Sequence, residues 1–261
     1  GNGLAQSILH SSGESFGVLD SGFLIAKGGT QTLHLSTVST TGQPPKTSFL
    51  SLAGGVIADI DLGSESLRFM GNLRFSVYAV MCVARPRPLE AQLVYWPAVA
   101  DKLPRALCGD APSLDEPLPP GPWVTVDGVF TFFWGVNTAW ASSDSHVAPG
   151  LALGSKSWSL ICMRSASRVD LAKCLLALDS GNHVNQPGVE VFRCHAFRIH
   201  PRGVSQFSLD GEHVPFGPVQ LWPSQREAVA LGGPFPAPSC SDRRARDSES
   251  NFDGQPLLHQ C

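Results

Sequence analysis

Apolar positions along this chain fall in short runs broken by glycine, proline and small polar residues, and most of those runs suit strands. The opening stretch "GNGLAQSILHSSGES" is predicted as a short helix entered from a Gly-Asn turn. "GFLIAKGG" and "QTLHLSTVST" follow. Leu33, Ser36 and Val38 alternate imperfectly, but the β-branched content favours strand. "TSFLSLAGGVIADID" is mostly apolar and is predicted as a strand buried on both faces, with Gly54-Gly55 permitting a bulge or a close backbone approach. A helix is expected over about 65–84, capped by Ser64 and carrying Glu65 at the positive end of its dipole.

Further on, "LEAQLVYWP" (89–97) reads as a strand and residues 98–122, rich in proline and acids, as a surface insertion. "WVTVDGVFTFFWG" is predicted as a hairpin turning at Asp127-Gly128. "SWSLICMR" is a strand. "SRVDLAKCLLALDSG" is the clearest helix, with Leu171, Cys174, Leu175 and Leu178 at helical spacing and Gly181 as the stop. "VEVFRCHAFRIH" and "SQFSLDGEHV" read as strands, the second turning at Asp210-Gly211. The expectation is a mainly β body with a few helices (α+β), a sandwich over residues 1–230 followed by a disordered tail over 231–261.

Composition narrows the functional classes. With 261 residues, 43% of them hydrophobic, and a net charge of -3, the chain has no basic footprint, so a nucleic-acid partner is not expected. Seven cysteines without a CxxC pair suggest reduced thiols in a cytoplasmic setting. The apolar runs, such as "FSVYAVMCVA", are too short to span a bilayer. The chain opens at Gly1 rather than at methionine, which suggests a fragment.

Candidate chemistry centres on "IADIDLGSESLRFMGNLRF" (57–75). If this stretch begins as a strand, Asp59 and Asp61 share one face, as paired acid/base carboxylates would. Asp61 at the end of an apolar run could hold an ammonium or a hydroxyl, against the plainer reading of a surface acid. Arg68 and Arg74 are six apart and converge only if Gly71-Asn72 breaks the helix; guanidinium forks suit phosphate oxygens, while two solvated arginines are the simpler alternative. Asp210 and Glu212 could be acceptors for a nucleotide or merely flank a turn. His195 lacks further ligands at zinc spacing, and His183 suits a helix end. There is no nucleophile elbow.

These pieces resemble the carboxyl-terminal region of sphingosine kinases (sphingoid long-chain-base kinases), within the diacylglycerol-kinase-like lipid kinases. "GNGLAQS" is similar to the end of the family's glycine-rich "GSGNxLAxS" segment, "FLSLAGGVIADIDLGSESLRFMGNLRF" to its "FSVLxLAWGxxADxDxESExxRxxGxxRF" block, and "SLDGE" to its terminal "DGE". The resemblance implies the β-sandwich lipid-binding domain of the lipid kinase fold. It implies ATP-dependent phosphorylation of the primary hydroxyl of a sphingoid base with Mg2+, on a cytoplasmic, peripherally membrane-associated protein, and it allows a homodimer. Asp61 would hydrogen-bond the lipid's amino and hydroxyl head, with Ser51 beside it. Ile57, Ile60, Phe75, Ile161, Leu171, Leu175 and His183 would follow the acyl chain. Arg68 and Arg74 would contact ATP phosphates, and Asp210, Gly211 and Glu212 would line the nucleotide side. The family's "GGDGT"-like loop and catalytic aspartate lie upstream of Gly1, so the resemblance also implies an incomplete enzyme. Gly54 stands where the family usually has tryptophan, and "GSKSWSL" lacks the acid of its "DGxLDL" motif. A ceramide or diacylglycerol kinase and a non-catalytic lipid-binding module are the rival readings.

Overall fold

The computed structural model describes residues 3–71, 73–203 and 206–232; the tail expected beyond 231 falls almost wholly outside these, as do Asn72 and the opening Gly-Asn turn. Helix α1 (Gly3–Ser11) forms as expected. "GFLIAKGG" does not form a strand. Residues Val18–Lys27 make helix α2, closed by the Gly28 amide bonding back to Leu24 and Ile25 carbonyls, a C-cap that only the backbone reveals. Val18 and Leu19 on this helix are fully exposed, so burial did not imprint a helical period on its sequence.

Strands β1 (Thr30–Thr40), β2 (Lys46–Ser48) and β3 (Ser51–Gly55) follow. The strand predicted to run on through Asp61 stops at Gly55. There the backbone turns at φ 67 into helix α3 (Val56–Gly63). A Cβ at Gly55 would stand 2.6 Å from the Thr131 carbonyl oxygen, so glycine lets the helix start against the neighbouring strand. The long helix expected over 65–84 is two pieces: a 3-10 segment over Ser64–Met70 and helix α4 (Leu73–Ala84), separated at Gly71 (φ 59).

Strand β4 (Leu89–Pro97) matches its predicted bounds. The expected hairpin at Asp127-Gly128 is absent: β5 (Val124–Val136) passes straight through, because Gln92 and Ala91 of β4 pair with both residues and Arg202 binds the Asp127 carboxylate. Strand β6 (Trp158–Arg164), helix α5 (Arg168–Leu176), β7 (Val189–Arg202), β8 (Phe207–Leu209) and β9 (Glu212–Val214) complete the expected set. Strand β10 (Val219–Leu231) has no counterpart among the predicted elements.

All strand pairs are antiparallel, in the order β2-β1-β10-β7-β4-β5-β3-β8-β9, and β6 bridges β5 and β7. The long strands change partner midway: β5 holds β4 over residues 124–130 and β6 over 130–136, and β7 does likewise. They thereby join the two layers of the sandwich. A register shift around Thr131 puts Phe130 and Phe133 into the core between layers while Phe132 and Trp134 face the opposite way. That second face is covered by α3, α4 and α5, and β6, apolar on both faces, lies between the two cores.

Candidate functional site

Helix α3 folds back over β8, and two polar contacts fix it there. Gln206 donates to Asp59 Oδ1 (2.9 Å), and Ser208 Oγ donates to Asp61 Oδ2. Asp59 and Asp61 are therefore not a carboxylate pair on one strand face; they sit on a helix, and each has its own partner. Burial pushes the Asp59 carboxyl up, while Gln206 pulls it down. Asp61 is half-buried rather than open to water. Ser208 and Gln206 were not expected from the sequence; the signal for them is weak, two polar residues at i, i+2 just before the Asp-Gly turn.

Apolar side chains gather behind Asp61. Ile57, Ile161 and Leu171 are buried in one cluster with Val56, Phe132 and Met163, and Ile60 and Leu175 pack against it. Five of the seven proposed chain-contacting residues are thus brought together. His183 is also buried: its Nε2 lies 2.9 Å from the Val147 carbonyl, its Nδ1 has no partner among the described residues, and burial lowers its pKa. Phe75 stands apart from the cluster, half-buried, with the Arg74 guanidinium 4.4 Å from its ring centre.

Arg68 and Arg74 do converge, because the chain breaks at Gly71, and they converge on Glu65. Both guanidiniums bind its carboxylate and hold it below the usual range, Arg74 contributing most. Arg74 is 17% exposed and Arg68 75%. Arg68 engages Glu65 through Nε, leaving its terminal nitrogens toward solvent.

Asp210 clasps the link between β2 and β3. Its carboxylate accepts from Ser48 Oγ (3.0 Å) and from the amides of Phe49, Leu50 and Ser51, and its own amide donates to the Ser51 carbonyl (2.8 Å). Burial raises its carboxyl, and these donors counter it. Positive φ at Asp210 and Gly211 makes the two-residue turn between β8 and β9, and Glu212 is exposed beyond it. Ser51 is placed at the start of β3 by this clasp. At Gly54, a Cβ would meet Phe207 at 2.8 Å and Leu89 at 3.0 Å, so those two side chains fill the space a larger residue would need.

Comparison with known proteins agrees with the fold. Residues 123–230 match the YegS C-terminal NAD kinase beta sandwich-like domain. The chain is 28% identical over 217 residues to sphingosine kinase 1 of Arabidopsis thaliana, covering 77% of this chain and 44% of that protein. It is 29% identical to sphingosine kinase 1 of Mus musculus, covering 94% of this chain and 69% of the relative, and 28% identical to the Homo sapiens protein of the same name, covering 81% and 60%. It thus spans less than half the length of the Arabidopsis relative. A diacylglycerol kinase structure from Bacillus anthracis superposes with a TM-score of 0.50 over 87% of this chain and 63% of its own, at 7% identity, a likeness of fold alone. Residues 123–230 thus match a YegS-type β-sandwich domain, and over most of its length the chain is similar to sphingosine kinases.

Proposed function

We propose that this chain is the lipid-binding sandwich of a sphingoid-base kinase, the complete enzyme moving the γ-phosphoryl of ATP to the primary hydroxyl of a long-chain base. The observation that carries the reading is Asp61: a carboxylate held by Ser208 at the edge of the apolar cluster formed by α3, α5, β5 and β6. A carboxylate at the mouth of an apolar region favours a head group bearing an ammonium, and a neutral glycerol or amide head leaves that charge uncompensated.

Arg68, through its outward nitrogens, is the residue best placed to meet an ATP phosphate; Arg74 acts by fixing Glu65 and so the position of Arg68. Mg2+ would supply charge neutralisation to the phosphates. No group of three His, Cys, Asp or Glu side chains converges among the described residues, so no metal step is assigned to them. Phe69, Leu73, Val80 and Met81, exposed by 84%, 59%, 70% and 57%, lie on the 3-10 segment and α4 beside the cluster and offer a surface for transient contact with a bilayer. No helix among the described residues is long and apolar enough to cross one.

The test is binding of sphingosine, ceramide and diacylglycerol to the purified chain. Asp61→Asn keeps an acceptor for Ser208 and removes only the charge. It is expected to weaken sphingosine binding tenfold or more and to leave the two neutral lipids unchanged, in line with about 1–3 kcal/mol for a charged hydrogen bond. Undiminished sphingosine binding by the variant would overturn the reading.

A further inference from the structure

A polar cleft of about 350 Å3 opens between β1, β10 and the loops at 101–103 and 155–156; it shares no lining residue with the Asp61 region. Its mouth is made by a break in a strand ladder. Ser36 pairs with Pro223 and His34 with Glu227, so a single residue of β1 stands against three of β10, which bow out of register. Proline at 223 has no amide to continue the ladder.

The cleft's polar groups have unspent capacity of one kind. Trp158 Nε1 donates to Ser36 Oγ (2.9 Å), which leaves the Ser36 hydroxyl hydrogen with no acceptor among the described residues although the side chain is 3% exposed. Lys102 and Lys156 line the cleft from separate loops, and neither ammonium has an ion-pair partner among the described residues. Asp101 ties the two loops together, accepting from Ser155 Oγ (2.7 Å) and from the Lys156 amide (2.8 Å), while Arg193 reaches the same serine and offsets that carboxylate. Glu227 at the rim is taken up by His34 Nδ1 (3.0 Å). His195 is 2% exposed, and its Nδ1 lies 3.1 Å from the Lys156 carbonyl; a carbonyl only accepts, so Nδ1 is the donor.

We propose that this cleft binds a phosphomonoester. Two unpaired ammoniums and a free hydroxyl donor call for an anion of charge near -2. A phosphomonoester, with its second pKa of about 6, carries that charge at neutral pH and presents three strong acceptor oxygens on a carbon group, whereas a carboxylate has half the charge and sulfate has no carbon part to rest on the cleft's apolar wall. The volume lies at the lower end of small-molecule sites, which fits a phosphorylated polyol head and excludes a folded partner. Trp158 and Leu103 give the carbon part of the ligand an apolar wall.

The test is calorimetric titration of the full chain with glycerol 3-phosphate, with glycerol and inorganic sulfate as controls, alongside sedimentation with phosphatidylcholine vesicles containing phosphatidic acid. Saturable binding in either arm is expected, and the arm that responds identifies a free or a lipid-borne phosphate. Lys102→Ala/Lys156→Ala, two exposed positions, should weaken it tenfold or more with an unchanged melting temperature, and sulfate should bind at least tenfold more weakly. The proposal is overturned if neither arm shows binding, if the double variant binds as the wild type does, or if sulfate binds as tightly as glycerol 3-phosphate.

Discussion

At Asp210 a turn residue has taken on a second task. The αL conformation (φ 51) that the Asp-Gly turn demands also aims its carboxylate at the link between β2 and β3, where four donors meet it. The prediction is that Asp210→Asn, which tolerates the same backbone, lowers stability by about 2 kcal/mol in urea denaturation, because an amide oxygen cannot satisfy four donors as a carboxylate does. A nucleotide-contacting role alone predicts no such loss. The turn itself was legible in the sequence, since Asp-Gly between alternating residues is a strong local signal. The clasp was not, since its partners lie about 160 positions away. The same holds for Asp61: its candidacy could be seen in a polar residue ending an apolar run, but not Ser208, which 147 positions of chain separate from it.

Elements pose a related problem at Gly54-Gly55, where one strand ends and a helix begins. Gly54 has room bounded by side chains, those of Phe207 and Leu89, whereas Gly55 faces backbone at 2.6 Å with φ 67. Side chains can shift and the Thr131 carbonyl, held in β5, cannot. Gly55→Ala is therefore expected to cost about 3 kcal/mol or more and Gly54→Ala distinctly less, measured side by side by chemical denaturation. Equal losses would show that the junction is not fixed by backbone contact. This junction also explains why α3 was read as strand: "VIADID" is rich in β-branched residues, and helix α3 is set by the turn at Gly55 and by docking on β8 rather than by propensity. Strands β4, β6 and β7 were readable because both faces are buried or alternate cleanly. Helix α2 was not, since all its large apolar side chains but Leu24 lie exposed.

On the scale of the whole molecule, the proline-rich segment 98–122 is the least regular part of the chain and yet is pinned to the sandwich. Leu107 is fully buried beside Trp96 and Trp222, with Leu118 and Trp123 packed around them. Beneath it Arg198, 5% exposed, donates to the carbonyls of Ser113, Leu114 and Glu116 and to Gln220, whose own amide donates to the Pro112 carbonyl (2.7 Å). Proline-rich loop backbone has few amides to pair with itself, so its carbonyls need an outside donor, and the five-donor fork of one arginine serves three of them at once. Lysine at this position offers fewer donors in no fixed plane. Arg198→Met and Arg198→Lys should therefore both speed hydrogen exchange over 108–122 and expose Lys102 and Arg105 to trypsin, while the amides of β4 and β7 that Arg198 does not touch stay protected. Because the segment carries Lys102, both variants should also weaken phosphomonoester binding in the cleft beneath it. Protection of 108–122 that survives Arg198→Met would mean that the Trp96–Trp222 cluster alone holds the segment and that the arginine is dispensable.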